Sequence, residues 1–270
     1  MIDLRCHLLN GIVCGAGDFA EAVEMCRQAA REGVQTIVLT ERWEAGSNEP
    51  PQPFNERQQA LERLQHETSG ALALKSGYVL RFHNGLAALV ERYGASITLG
   101  GGRYVLVSLP ALCTPVETEE VWEQLMQRGF SVIVAAPEGS PALRRNPQRL
   151  EKWTDGGAKL QLNAASVTGA HGREAQRFAL HCAKEYPNRV MVASNMRVGE
   201  ARHTSLAQAR EILARHFGKR RVQALFQDTP AAILETAHEK DAAGIELNGR
   251  DQSGLLSQLF KLGKAATGAS

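Results

Sequence analysis

Seven short apolar runs, separated by intervals of 20 to 30 residues most of which carry an amphipathic stretch, constrain the fold of this chain more than any other feature of it. The runs are IDLRCHL at 2–8, TIVLT at 36–40, ALALKSGYVLRF at 71–82, YVLVSLP at 104–110, SVIVAA at 131–136, KLQLNA at 159–164 and VMVAS at 190–194. Runs this short and this rich in Val, Ile and Leu read as strands buried on both faces. The stretches between them have the signals of helices. One spans 18–33, with Asp18 as N-cap and Gly33 as its stop. Others follow at 54–68, 116–129, 172–187 and 205–218. Strand and helix in alternation predict a parallel sheet with helices outside it. About seven such units in one chain favour closure into a TIM-like barrel, and an open doubly wound sheet is the alternative. Nucleotide-binding versions are disfavoured, because no G-x-G-x-x-G or Walker loop is present. GGGR at 100–103 precedes a strand where a phosphate cradle would follow one, so it reads as a turn.

Composition narrows the function classes. Thirty-one Lys and Arg against 29 Asp and Glu leave a net charge of +2, which gives no push toward nucleic acid or a membrane surface. Five scattered cysteines contain no C-x-x-C pair, so neither a disulfide framework nor a zinc knuckle is indicated. No apolar stretch approaches the roughly 20 residues of a membrane span. A soluble, cytoplasmic protein follows. Residues 1–243 are expected to form one barrel domain. Residues 244–270 are expected to be a partly disordered extension, ending in the polar, small-residue run KAATGAS.

In a barrel of this kind the chemistry sits at the C-terminal ends of the strands. The first strand ends in Asp3, Arg5 and His7, spaced to share one face if the strand alternates regularly. Asp3 and His7 suit a metal site, and Arg5 between them does not. The same ends carry longer motifs: MIDLRCHLLNGIVCGA, YVLVSLP, IVAAPEG, QLNAASVTG, VASNMR and DTPAAIL. In order and spacing these resemble the motifs of the bacterial tyrosine phosphatases of the polymerase-and-histidinol-phosphatase (PHP) superfamily, the CpsB/CapC/YwqE group. The resemblance implies a distorted PHP-type barrel, Mn²⁺-dependent protein-tyrosine-phosphatase activity, and a role in capsule and exopolysaccharide production. The substrate it implies is the phosphotyrosine tail of a bacterial tyrosine kinase.

Carried across residue by residue, the resemblance places the family's metal ligands on Arg5 and His7, Val13 and Cys14, Arg42 and Trp43, Val79, Ser108, Ala136, and Asn195 with Arg197. Only His7 survives, with Asp3 beside it. A transition-metal site needs three or more fixed N, O or S donors. Val79 and Ala136 supply none, and guanidinium groups repel cations. No cofactor is therefore expected, and Asp3, His7, Cys14 and Asn195 read as a relict site. Three ligand positions have become arginine: Arg5, Arg42 and Arg197. Arg202, which follows the last motif, makes a fourth. Guanidinium binds phosphate bidentately, so these four are candidate anion-binding residues in a catalytically degenerate protein. Pairing with carboxylates such as Asp3, Glu41 or Glu138 is the plainer alternative for them, as a hydrogen-bonded interior position is for His7. Two other functions stay open. One is a residual phosphatase, with a rebuilt metal site or with Cys14 as nucleophile, although the C-x5-R phosphate loop is missing. The other is a purely structural interaction protein.

Overall fold

In the computed structural model, residues 1–9, 16–68, 70–110, 115–198 and 205–243 are described. Eight strands alternate with helices: β1 Ile2–His7, α1 Ala16–Arg31, β2 Thr36–Trp43, α2 Phe54–Glu67, β3 Ala73–Arg81, α3 Leu86–Tyr93, β4 Tyr104–Ser108, α4 Pro115–Gln127 and β5 Ser131–Ala135. After these come α5 Pro141–Arg145, α6 Gln148–Asp155, β6 Lys159–Asn163, α7 Ala164–Thr168, α8 Arg173–Glu185, β7 Val190–Ala193, β8 Met196–Arg197, α9 Leu206–Gln223 and α10 Thr229–Ala243. All seven predicted strands and five predicted helices are present. Helix α1 starts at Ala16, so Asp18 lies inside it rather than before it. Gly100 and Gly101 form a left-handed turn ahead of β4, as the GGGR stretch predicts.

The sheet is parallel throughout, in the order β7-β6-β5-β4-β3-β2-β1-β8. The eighth strand, unforeseen from the sequence, is two residues long. The chain leaves β7, turns at Ser194–Asn195, and lays Met196 and Arg197 beside Cys6 and His7 of β1. The curled sheet therefore carries its last edge round to its first strand.

Alternation sorts the strand residues into two cores. Ile37, Leu39, Val105, Val107, Val132, Val134, Leu160, Leu162, Val190 and Val192 face outward, into a core shared with the helices. Ile2, Leu4, Val38, Val79, Leu106, Ile133 and Met191 fill the interior. Ile233 and Leu234 of α10 join that interior core. Thus α10 plugs the end of the barrel where the strands begin, and it leaves the end where they finish as the mouth.

The plug is fastened by Thr236, whose hydroxyl accepts from Arg103 N (3.2 Å) and donates to Ile233 O (2.7 Å). Gly102 lies so close that any Cβ there would collide with that hydroxyl. Gly102→Ala is expected to cost about 1–3 kcal/mol, the usual penalty for overpacking, read as a fall in urea midpoint. An unchanged midpoint would mean that α10 does not seat as described.

Candidate functional site

The mouth is built on an irregularity in β1. Asp3 pairs with Ile37 and Cys6 with Leu39, so Leu4 and Arg5 together oppose Val38. This is a β-bulge, and it re-aims the side chains that follow it. Leu4 points into the interior core. Arg5 also points inward, where its Nη1 donates to Gln161 Oε1 on β6 at 3.1 Å. Cys6 returns to the outer core, and His7 reaches Asn195 in the mouth. The regular alternation expected for Asp3, Arg5 and His7 therefore fails at its first member. Asp3 faces outward, into a cleft lined by Met25, Gln28 and Ala29 of α1.

Asp3 is a clamp. Its Oδ1 accepts from Arg5 N (3.2 Å), an amide displaced by the bulge, and from Ser194 N (3.1 Å). Its Oδ2 accepts from the Ser194 hydroxyl. The carboxylate thus ties the bulge to the β7–β8 turn that carries Asn195 and Arg197. Burial raises its pKa to about 6, against the pull of these hydrogen bonds.

Inside the mouth, His7 Nε2 pairs with Asn195 Oδ1 at 3.0 Å. Burial, and then the charges of Arg5 and Arg197, push the imidazole pKa down to about 3. His7 is therefore neutral at physiological pH and donates Nε2–H to Asn195. Arg5 is only 5% exposed. Burial lowers its pKa to about 10, with Arg197 and Arg42 adding to the effect and Glu138 and Asp3 opposing it. Its Nε is buried with no hydrogen-bond partner. Arg197 sits directly across the ladder from His7. Arg42 is exposed and has Glu44 at 3.7 Å. So two of the other predicted arginines, Arg197 and Arg42, act on Arg5 at the mouth. Arg202 and Cys14 lie outside the described residues.

The carboxylate-pairing alternative is met in part. Arg42 has Glu44. Arg5 is bonded to an amide rather than to an acid, with Glu138 acting on it through charge alone. Glu41 belongs elsewhere: on the outer face of β2, bonded to Arg57 of α2. Glu138 is completely buried, and its Oε1 accepts from Asn163 N (2.8 Å). Trp43 also faces outward, packed edge-on against Tyr78 at 5.3 Å, so it does not line the mouth. Cys6 and Cys26 are buried free thiols in the outer core, as small hydrophobes would be.

Two residues at the mouth keep strained backbones. Ala136 (φ 50°, ψ 54°) follows β5, and Asn195 (φ 57°) follows β7. For alanine the left-handed region is unfavourable, and such strain concentrates at functional sites. The fold thus holds this backbone geometry at two positions where the resemblance expects metal ligands. Arg81, a strand-end residue not counted among the candidate anion-binding arginines, ends β3 two places after inward-facing Val79, opposite Ser108. Parity along β3 places it on the same face as Val79.

Among the described residues the donor set does not suit a metal. Among the described residues, no three His, Cys, Asp or Glu side chains gather where they could hold an ion. His7 stands with arginines around it, and Asp3 is on the other side of the sheet. Among the described residues, no helix is long and apolar enough to cross a membrane.

Residues 1–235 match the family described as capsular polysaccharide synthesis, CpsB/CapC. Tyrosine-protein phosphatase YwqE of Bacillus subtilis is 29% identical over 222 residues, which is 81% of this chain and 85% of that one. Tyrosine-protein phosphatase CpsB of Streptococcus pneumoniae is 25% identical, over 87% of this chain and 98% of that one. Among solved structures, one described with YwqE and CpsB as metal-dependent tyrosine phosphatases superposes with a TM-score of 0.75 at 24% identity, covering 87% of this chain and 95% of the other. A phosphotriesterase from Mycobacterium tuberculosis superposes at 0.56 and 10% identity, covering 87% and 93%. At that identity the likeness is one of fold.

Proposed function

This chain belongs to the CpsB/CapC family, and from that premise we propose that it binds a phosphorylated ligand at the mouth without a metal and without hydrolysing it. The ligand class that fits is phosphotyrosine, presented by the tail of a tyrosine kinase in polysaccharide production. The observation that carries this reading is Arg5, a buried guanidinium with an unbonded Nε, set among further arginines. Like charges converging in a poorly solvated place are costly unless an anion or carboxylates offset them. A phosphate dianion would offset them, and guanidinium geometry suits its oxygens.

Loss of hydrolysis follows from the donor chemistry. A metal in this kind of site lowers the pKa of bound water and neutralises the phosphate. Arginines can do the second and not the first. His7, held neutral and bonded to Asn195, is a poor proton donor at physiological pH.

Calorimetry and an activity assay test the reading together. A phosphotyrosine peptide is expected to bind the purified protein, and Arg5→Gln to weaken that binding by about tenfold or more, the usual scale for a charge-assisted hydrogen bond. Hydrolysis of p-nitrophenyl phosphate is expected to stay at the buffer rate with added Mn²⁺, and metal analysis to find less than half an equivalent. A stoichiometric metal with Mn²⁺-dependent turnover would establish a residual phosphatase instead. Absence of binding with absence of turnover would leave a structural role, and would overturn the proposal.

A further inference from the structure

The opposite end of the barrel carries a second gathering of cations, independent of the mouth. Arg103 precedes β4, Lys159 opens β6 and Arg189 precedes β7. Parallel strands bring these three starts to one rim. Between them stands Tyr104, whose ring lies 5.5 Å from the Arg103 guanidinium carbon and 5.8 Å from Lys159 Nζ. The Lys159 ammonium donates to Asn188 O at 3.3 Å. Burial first, and then the charges of Arg189 and Arg103, lower its pKa to about 8, with no carboxylate among the described groups acting on it. Ser131, paired with Tyr104 in the ladder, is half-buried on the same rim and offers a hydroxyl.

Folding alone does not account for this. A half-buried ammonium beside two guanidinium groups is disfavoured by desolvation and by repulsion. Cation–π contact with Tyr104 recovers only part of that cost, and the Asn188 carbonyl uses one of three N–H donors. Two N–H groups and two guanidinium groups remain for a partner with several oxygens.

We propose that Arg103, Lys159 and Arg189 form an anion site for a phosphate or polyphosphate group on the face opposite the mouth. Arg103 and Arg189 would supply guanidinium donors from the two sides. Lys159 would supply a point charge at the centre, against the Tyr104 ring. Arg103 N is bonded to Thr236 of α10, so occupancy would also brace the plug that closes the barrel.

The test is an NMR titration of the whole protein with pyrophosphate, read at the Lys159 side chain so that binding at the mouth does not enter. Pyrophosphate is expected to shift the Lys159 Nζ and Cε signals saturably. It is also expected to move the lysine's titration upward, since a bound anion favours the ammonium. Arg103→Gln and Arg189→Gln should each weaken binding by about tenfold, and rising salt should weaken it further. Orthophosphate and a phosphorylated peptide, run in parallel, separate a free-phosphate site from one that reads a phosphorylated chain. Both glutamine variants alter exposed side chains, and their circular dichroism should match the parent. A Lys159 signal unmoved by millimolar pyrophosphate would overturn the proposal. So would a shift that survives both substitutions together.

Discussion

Replacing Arg57 by methionine should destabilise the protein by about 3–5 kcal/mol, the range for breaking one side of a buried ion pair. Arg57 of α2 and Glu41 of β2 are 4% and 2% exposed. The guanidinium bonds Glu41 through Nε and the carbonyls of Leu39 and Gly77 through Nη2, both at 2.8 Å. Its carbon lies 4.4 Å from the centre of the Tyr78 ring. One side chain therefore joins a helix to two adjacent strands. Methionine keeps the stem and part of the contact with Tyr78. It leaves a buried carboxyl unpaired, and burial already pushes the pKa of Glu41 upward. At roughly 2–4 °C per kcal/mol for a chain of this size, the melting temperature should fall by about 10 °C. Adding Glu41→Leu should return much of the loss, because an apolar pair of similar volume avoids the desolvation penalty. A fall under about 2 °C in the single variant, or no coupling in the double-mutant cycle, would sink this account of the pair.

The second large effect is the acid response, where His7 and Asp3 act in opposite directions. His7 titrates at about 3 in the folded chain, below its ordinary 6.5. The unfolded chain therefore binds the extra proton first, and stability present above pH 6.5 is lost as pH falls toward 3. At 1.36 kcal/mol per pKa unit the loss reaches about 4–5 kcal/mol. Asp3 titrates at about 6, above its ordinary 3.8. Its contribution is full below pH 3.8 and is lost as pH rises through 6, on a scale of about 3 kcal/mol. Between pH 6 and 3.8 the two slopes should nearly cancel, and below 3.8 that of His7 should act alone. Urea unfolding across this range should show a shelf and then a further decline of about 1 kcal/mol. His7→Gln, which can still bond Asn195, should turn the shelf into a rise toward acid. Asp3→Asn should turn it into a continuous fall from pH 6.5. Glu41 and Glu138, also pushed upward by burial, contribute alike to all three proteins and drop out of the differences. Identical pH profiles in parent and His7→Gln would show that His7 is not held neutral in the fold.

Much of the architecture was legible because it depends on local pattern. Short apolar runs between amphipathic stretches specify buried parallel strands wherever they occur, and their boundaries fell within a few residues of the observed ones. The short helices α3, α5, α6 and α7 were missed, at five to eight residues each, and two further missed elements lacked that pattern. Strand β8 is too short to have a period and is defined only by pairing with β1. Helix α10, with Ile233 and Leu234 against the interior, plugs the barrel from outside the predicted units. At the site, the arginines at 5, 42 and 197 could be read directly, since residue type is written in the sequence. The facing of Asp3 could not. It depends on a bulge at Leu4–Arg5, and a bulge is a property of how two strands pair.

The sequence by itself thus determined the alternating fold, the family, and the chemistry available at each strand end. Tertiary structure decided which of those groups meet. It turned Asp3 outward as a clamp, set Arg5 and His7 into the mouth with Arg42 and Arg197, and gathered Arg103, Lys159 and Arg189 at the far rim. Residue type and period are carried by neighbours in the chain, whereas the electrostatics of a site depends on distances between residues that only the closed sheet brings together.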